Sequence, residues 1–375
     1  MRILFINSVC GTGSTGKIAA KSAAEYEAKG WEVRFGDGQY APVPDDCKKW
    51  AVPIGNMLER RIHQVLTRFL DWHADRICSY FATRRFLKWA EEWNPDVVWI
   101  HNVHGYYLNY ELLFKWIKRH PEMGVKWTLH DCWPWTGHCA WYTMVGCEKW
   151  RTHCGRCPQL RTYPKSWLFD NSSRNFDRKR KAFCGVKNMT IYTPSKWMAG
   201  MIRESFLGEY RVEVLRNEVD KSIFRPTESD FRKKYGLEGK KLVLGVASTW
   251  EPRKGLEEFR QVARQLGERW TVVIVGKVPN DQRTANEPAN MLYIERTRDQ
   301  RELAGIYTAV DYFFNPSKEE SFSLVNLEAA LCGTKVVIYD AAAMPESVEG
   351  FPDAIILRGA DKTPEGFVKA CSGML

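Results

Sequence analysis

The sequence predicts an α/β protein built from two doubly wound, parallel-sheet domains. Three observations carry this. Short apolar runs that read as buried strands alternate with stretches that read as helices, the pattern of a parallel sheet covered on both faces. The alternation runs through the first half, breaks at a Cys- and Trp-rich insertion, and begins afresh near residue 240. Finally, 375 residues, 44% hydrophobic and 27% charged, suffice for two cores and exclude a disordered or collagen-like chain.

RILFIN (2–7) is a buried-strand pattern, followed by the glycine loop CGTGSTGK and a helix over about 15–29. WEVRF (31–35) reads as the second strand, and helical stretches follow near 56–70 and 83–93. DVVWIHN (96–102) is a strand, 110–120 a helix and VKWTLH (125–130) a strand. After an insertion at 131–165, MTIYTPS (189–195) resumes the pattern with a helix beyond it. The first domain spans 1–210, a linker 211–226 and the second domain 227–375. There KLVLGVAS, the loop WEPRKG, a helix to about 266, WTVVIVG (270–276), MLYI, a helix around 299–309, DYFFNPS, a helix from about Ser323 and KVVIYD complete the unit.

A net charge of +10 favours anionic partners without choosing among nucleotides, nucleic acid and anionic lipid. No apolar run is long enough to span a bilayer, and the start leads straight into a strand, so the chain is expected to be cytoplasmic, neither integral nor secreted. Eleven cysteines, an odd count without an export signal, then read as reduced thiols or metal ligands. Fourteen of sixteen tryptophans and all eight histidines lie in the first 200 residues, so the first half is rich in groups that stack on or bond to ligands.

The glycine loop places Gly11, Gly13 and Gly16 between a strand and a helix. Backbone at Gly13, Ser14, Thr15 and Gly16 could approach an anion at the helix N-terminus, although a tight βα turn explains the same residues. A P-loop would need a hydroxyl where Ile18 stands, and a dinucleotide site an acidic residue that Glu32 and Asp37 fit poorly. In NPSKEESFSLVNLEAALCGT (315–334), a helix starting near Ser323 would put Glu320 before its N-terminus and Glu328 in its second turn. Free N–H groups at Ser323, Leu324 and Val325 could then meet a phosphate or sugar hydroxyl. Such glutamates are otherwise capping charge. As a residue exposed in a cleft, Glu320 would contribute little to stability.

The pattern P-S-x-x-E-x-F-x-x-x-x-x-E followed by A-x-x-C-G-T resembles the signature of the retaining nucleotide-sugar transferases of glycosyltransferase family 4. LRNEVDKSIFRP, GVASTWEPRKG, VVIVG, MLYIERT and MPE resemble further segments of that family, in its order. The departures are Ser323, Glu218, Ala342 and Ala343 where the family has glycine, and Thr249 where it has a phosphate-binding Arg. The resemblance implies the GT-B fold, two Rossmann-like domains facing across a cleft. It also implies a nucleotide diphosphate sugar donor, a hydroxyl acceptor on a lipid-linked or polysaccharide glycan, and retention. It gives Glu328 to the ribose, Arg253 and Lys254 to the diphosphate, Glu320 to the sugar and His130, at the end of its strand, to the transferred sugar. His101 and His104 are acceptor contacts of lesser weight. No catalytic divalent metal is expected.

Two further patterns stay open. Cys139, Cys147, Cys154 and Cys157, with C-x2-C at the end, suit a closed structural zinc site or a set of buried thiols. From Leu58 to Lys88, Arg60, Arg61, Arg68, Arg76, Arg84, Arg85 and Lys88 outnumber Glu59, Asp71 and Asp75, while Leu58, Ile62, Val65, Leu66 and Phe69 recur at helical spacing. That is either a basic amphipathic face for peripheral contact with an anionic membrane or a packed helix with a wet charged side. Rival functions are a basic zinc-knuckle nucleic-acid-binding protein and a glycoside hydrolase using the two glutamates. The two α/β units with anion loops argue against nucleic acid as a partner.

Overall fold

In a computed structural model, which describes residues 1–75 and 77–373, the chain forms two compact units, 1–216 and 217–375. Arg76 of the basic stretch lies outside the described residues.

The first unit has seven strands: β1 (Arg2–Asn7), β2 (Glu32–Asp37), β3 (Ala51–Pro53), β4 (Val97–Ile100), β5 (Gly124–Thr128), β6 (Met189–Thr193) and β7 (Arg211–Val214). All pair in parallel, in the order β3-β2-β1-β4-β5-β6-β7. Helices α1 (Gly13–Ala28), α2 (Met57–Leu70), α3 (Tyr80–Trp93), α4 (Tyr110–Ile117), α5 (Ser172–Phe183) and α6 (Lys196–Glu204) make the crossovers. The strand order reverses direction between β1 and β4, which is where α/β sheets hold ligands.

Three departures from the sequence reading have physical reasons. Residues 211–214, assigned to the linker, are β7, held to β6 by backbone pairing that so short a strand, RVEV, does not advertise. Helix α5 went unnoticed because SSRNFDRKRKAF has few apolar residues. It is fixed instead by buried polar groups: Lys179 donates to the carbonyls of Trp133 and Thr136 (2.8 and 3.0 Å), and Asn175 to that of Asp71 (2.8 Å). The tryptophans of the insertion mostly build core: Trp133, Trp135 and Trp150 are buried with Trp116, Trp127 and Phe183. The aromatic richness of the first half is therefore largely packing.

In the second unit α7 (Phe231–Lys234) leads into β8 (Lys241–Thr249), α8 (Leu256–Leu266), β9 (Trp270–Lys277), β10 (Met291–Ile294) and α9 (Gln300–Ala309). Then come β11 (Tyr312–Asn315), α10 (Leu324–Leu331), β12 (Lys335–Tyr339), β13 (Ile355–Leu357) and α11 (Pro364–Cys371). The parallel order is β10-β9-β8-β11-β12-β13, so this sheet switches between β8 and β11. Apolar residues fill those central strands, with Leu242, Val243, Leu244, Phe313 and Phe314 essentially inaccessible.

Candidate functional site

The switch point of the second sheet collects the residues with the clearest chemistry. After β8 a single turn, Pro252–Lys254, carries two cations; after β11, residues 316–320 bring up Glu319 and Glu320. Glu320 is buried. Lys254 Nζ donates to its Oε1, and Arg253 Nη1 lies 3.6 Å from Oε2. Burial pushes the Glu320 carboxyl upward, but Lys254 and Arg253, with a hydrogen bond from Ser317, outweigh it and hold the group below its ordinary range. The expectation of an exposed Glu320 is thus corrected. Flanking loops close around a residue whose charge the two cations balance.

The two loops are clamped together by backbone. Lys318 N–H donates to Arg253 O (2.8 Å), and Arg253 Nη1 donates to Glu319 O (2.9 Å). Gly255 has φ +76°, and a Cβ there would stand 2.8 Å from Pro316 Cγ, so only glycine lets the loops approach this closely. Below them lies a buried amide network that the sequence reading missed. Asn315 Nδ2 donates to Ser323 Oγ (3.0 Å) and Asn326 Oδ1 (2.7 Å), and Asn326 Nδ2 donates to Ser347 Oγ (2.8 Å). Its one signal was an Asn ending the apolar run YFFN.

Helix α10 starts at Leu324 with Ser323 as its N-cap, and its first turn holds no acidic residue. The amides of Ser323, Leu324 and Val325 thus sit at a positive helix end beside Glu320. Glu328, a turn further on, accepts from the buried Tyr307 hydroxyl (3.0 Å). Ala343 N–H donates to Glu320 O (3.2 Å), and Ala342, one of the family's glycine positions, adopts φ +49° without a glycine.

The first unit assembles its own group at the β1/β4 switch. Asn7, buried at the end of β1, receives Asn102 N–H (3.2 Å) and donates to Val9 O (2.8 Å), spanning the two strands. Gly13 and Ser14 are exposed at the start of α1, Thr15 is half-buried within 3.5 Å of Asn7, and Gly16 is buried. A Cβ at Gly16 would meet Val9 Cγ2 at 2.9 Å, so the loop can fold onto the helix only there. His130 lies two residues beyond β5. Its Nε2 is 3.0 Å from Nδ1 of His101 with the rings stacked, so one imidazole donates to the other. Burial pushes His130 down to about 4 and His101 well below its ordinary value. Both are neutral at physiological pH.

His104 is more engaged than its sequence signal suggested. Its Nε2 lies 2.9 Å from Asp131 Oδ2 and its Nδ1 2.9 Å from the Tyr163 hydroxyl. Burial works against the Asp131 carboxylate, but His104 and the Trp133 N–H hold it below its ordinary range. Asp131 and Tyr163 carried no motif. Only the fold brings residues 104, 131 and 163 together.

Cys139, Cys147, Cys154 and Cys157 line one small cavity with His138. The Cys139 thiol is hydrogen-bonded to Cys157, which raises the former and lowers the latter to about 7. A closed tetrahedral zinc site would hold all four sulfurs about 3.8 Å apart. Among the described residues, the one set of three ligand atoms mutually within 4.8 Å is instead Asp71, His73 and His138. The insertion gathers the thiols but does not set them at ligand spacing. In the other set, Asp71 Oδ1 lies 2.6 Å from His138 Nδ1 and 3.0 Å from His73 Nε2, with Asn171 N–H on Oδ2 (2.9 Å). Burial pulls the nearby Lys179 down to about 7 and the Asp71 carboxylate partly holds it up, so this set is a buried polar network joining the insertion to the end of α2.

With this geometry in view, comparisons with known proteins add the following. The family model for group 1 glycosyl transferases matches residues 240–375. WcaC of Escherichia coli K12, named as a colanic acid biosynthesis glycosyl transferase, is 26% identical over 264 residues. That match spans 68% of this chain and 62% of WcaC. The fold is shared with sucrose-phosphate synthase of Thermosynechococcus elongatus (TM-score 0.70, 14% identity), covering 100% of this chain and 89% of that one. It is shared too with HepE of Anabaena, solved in complex with UDP and glucose (TM-score 0.65, 14% identity), covering 99% and 90%.

Proposed function

We propose that the chain moves a hexosyl-type sugar from a nucleoside diphosphate to a hydroxyl acceptor with retention, on the premise that residues 240–375 match the family model for group 1 glycosyl transferases and that the two parallel-sheet units have the GT-B fold. The observation that carries the reading is the meeting of Arg253, Lys254 and Glu320 at the second sheet's switch point. An arriving diphosphate competes with Glu320 for the two cations. The carboxylate is then released to accept hydrogen bonds from the sugar, while the cations and the amides of Ser323, Leu324 and Val325 take up charge as the glycosidic bond breaks. Glu328 accepts from the ribose. For the first unit, the resemblance gives phosphate to Gly13, Ser14, Thr15 and Gly16, the sugar to His130 and the acceptor to His101 and His104. Retention follows if a departing diphosphate oxygen takes the acceptor's proton as the new C–O bond forms on the same face. In this reading Glu320 accepts hydrogen bonds from the sugar and forms no covalent bond to it.

The acceptor in this reading is a lipid-linked or polysaccharide glycan intermediate, for which the name of WcaC gives support. The chain works in the cytoplasm, on the inner face of the membrane. Among the described residues, no helix is long and apolar enough to cross one. A structural zinc held by Cys139, Cys147, Cys154 and Cys157 rests on their spacing alone and requires the cavity to contract. Metal analysis of protein purified without chelator decides it, with about one zinc per chain expected and none refuting it. Neither the nucleic-acid-binding nor the hydrolase reading has support in the family match or the fold.

Thermal-shift and hydrolysis assays with UDP-, GDP- and ADP-sugars test the proposal, UDP-glucose first because of HepE. One donor should raise the melting temperature and be slowly hydrolysed. No response to any nucleotide sugar would sink it.

A further inference from the structure

Helix α2 is inside out. Its inward face is polar: His63 and Thr67 are 2% and 1% exposed. His63 Nδ1 bonds to Ser79 Oγ (2.9 Å), and Thr67 donates to His63 O (3.0 Å). Its apolar stripe faces solvent, with Leu58 67%, Ile62 44%, Val65 51% and Phe69 40% exposed. The spacing 58, 62, 65, 69 puts all four on one side. A globular helix normally hides such a stripe, so the packed-helix alternative fails for this face. The loop after the Cys-rich insertion extends it. Trp167 N–H donates to Arg68 O (2.6 Å), Asn171 Nδ2 donates to Leu70 O (2.6 Å), and the Trp167 ring meets Phe69 edge-on at 5.2 Å. Trp167, Leu168 and Phe169 are themselves 41%, 67% and 54% exposed.

The surroundings are cationic. Arg61 and Lys165 are exposed, and Arg68 lies over the Trp167 ring at 5.6 Å. On α2 the acidic Glu59 is already neutralised by Arg85 (2.7 Å). Aromatic and aliphatic side chains on one face with arginine and lysine beside them fit the boundary of an anionic bilayer, where the rings and alkyl groups enter the acyl region and the cations stay with the headgroups. A protein partner would not require the basic flank, and a self-association would bring those cations together. We propose that α2 and residues 167–169 form a docking surface for a bilayer containing anionic lipid. The same helix lines, with His63 and Thr67, a small cavity that also includes His104 and Tyr163. On the transferase reading, this puts acceptor-side groups directly behind the membrane-facing stripe, as a membrane-held acceptor needs.

Sedimentation of the full chain with vesicles tests this without using catalysis. Wild type should bind phosphatidylglycerol-containing vesicles about tenfold more strongly than phosphatidylcholine vesicles. The combined variant Leu58→Ser, Ile62→Ser, Val65→Ser, Phe69→Ser should lose about tenfold or more of the binding. Because serine at exposed sites leaves the core untouched, its melting temperature and donor-induced shift should stay close to wild type. Arg61→Glu with Lys165→Glu, which keeps the stripe, should abolish the preference for anionic lipid. Failure of wild type to bind either vesicle, or unchanged binding by both variants, overturns the docking surface and leaves the transferase reading intact. A wild-type dimer that the serine variant converts to monomer, with no vesicle binding, would assign the face to a second copy of the chain and equally overturn it.

Discussion

Glu320 is buried, yet its carboxylate meets two cations at the end of a strand. Replacing it by Gln keeps the shape and a hydrogen-bond acceptor but takes the carboxylate away from Lys254 and leaves Arg253 with the more exposed Glu251 (3.0 Å). Breaking such a part-buried pair should cost about 1–3 kcal/mol, read as a lower urea midpoint. If the carboxylate also receives the sugar, kcat should fall on the order of a hundredfold or more, while donor binding by calorimetry changes far less. Wild-type turnover with lowered stability would make Glu320 a structural ion-pair partner only. The residue was conspicuous in the sequence through its motif; its burial was not, because burial depends on loop 252–255 lying across it.

At the scale of elements, the proposed donor-binding parts are loops held by their backbones, with helix starts behind them. Gly255 is the hinge of this arrangement, since its φ is +76° and Pro316 Cγ would be 2.8 Å from an added Cβ. Gly255→Ala should destabilise the second unit by about 1–2 kcal/mol through left-handed strain. It should also push Arg253 and Lys254 away from loop 316–320. The measurement is donor affinity beside stability: affinity should drop more than a control of equal destabilisation in α8 allows. Equal losses would show that the clamp serves folding alone. The glycine was visible in WEPRKG, but its partner Pro316 was not, being more than sixty residues away in sequence.

Across the whole molecule, neutral buried histidines are confined to the first unit. Burial lowers His63 to about 3, His73 to about 4 and His130 to about 4, and His101 well below its ordinary value. An unfolded chain protonates these groups near pH 6.5, whereas the folded one keeps them neutral well below that. The unfolded state thus binds more protons in that window, and stability falls as pH falls through it. Asp37 opposes this, since burial raises it to about 6, but it is one group against four. Tryptophan emission, which reports mainly the first unit, should show its urea midpoint falling by on the order of 1 M between about pH 7 and pH 4.5. A flat profile would mean that these imidazoles are wet. A second expectation concerns metal: if Arg253, Lys254 and helix amides stabilise the leaving diphosphate, turnover survives a short exposure to EDTA. Loss restored by Mn²⁺ and not by Zn²⁺ would overturn that role.

By itself the sequence determined the two parallel-sheet domains, because buried strands and crossover helices write their periods directly into residue order. It also determined the Arg253–Lys254, Glu320 and Ser323–Glu328 segments, because each is contiguous and matches a motif. Only the tertiary structure decided the rest. It paired Glu320 with its cations, joined His104 to Asp131 and Tyr163, and supported the α10 loop with Asn315, Asn326 and Ser347. It turned the insertion's tryptophans into core, left the four cysteines short of ligand spacing, and turned the apolar face of α2 outward. Each of these depends on which distant segment lies opposite. A helical period is the same whether its apolar side meets a core or solvent, and a cysteine spacing does not fix how sulfurs approach one another.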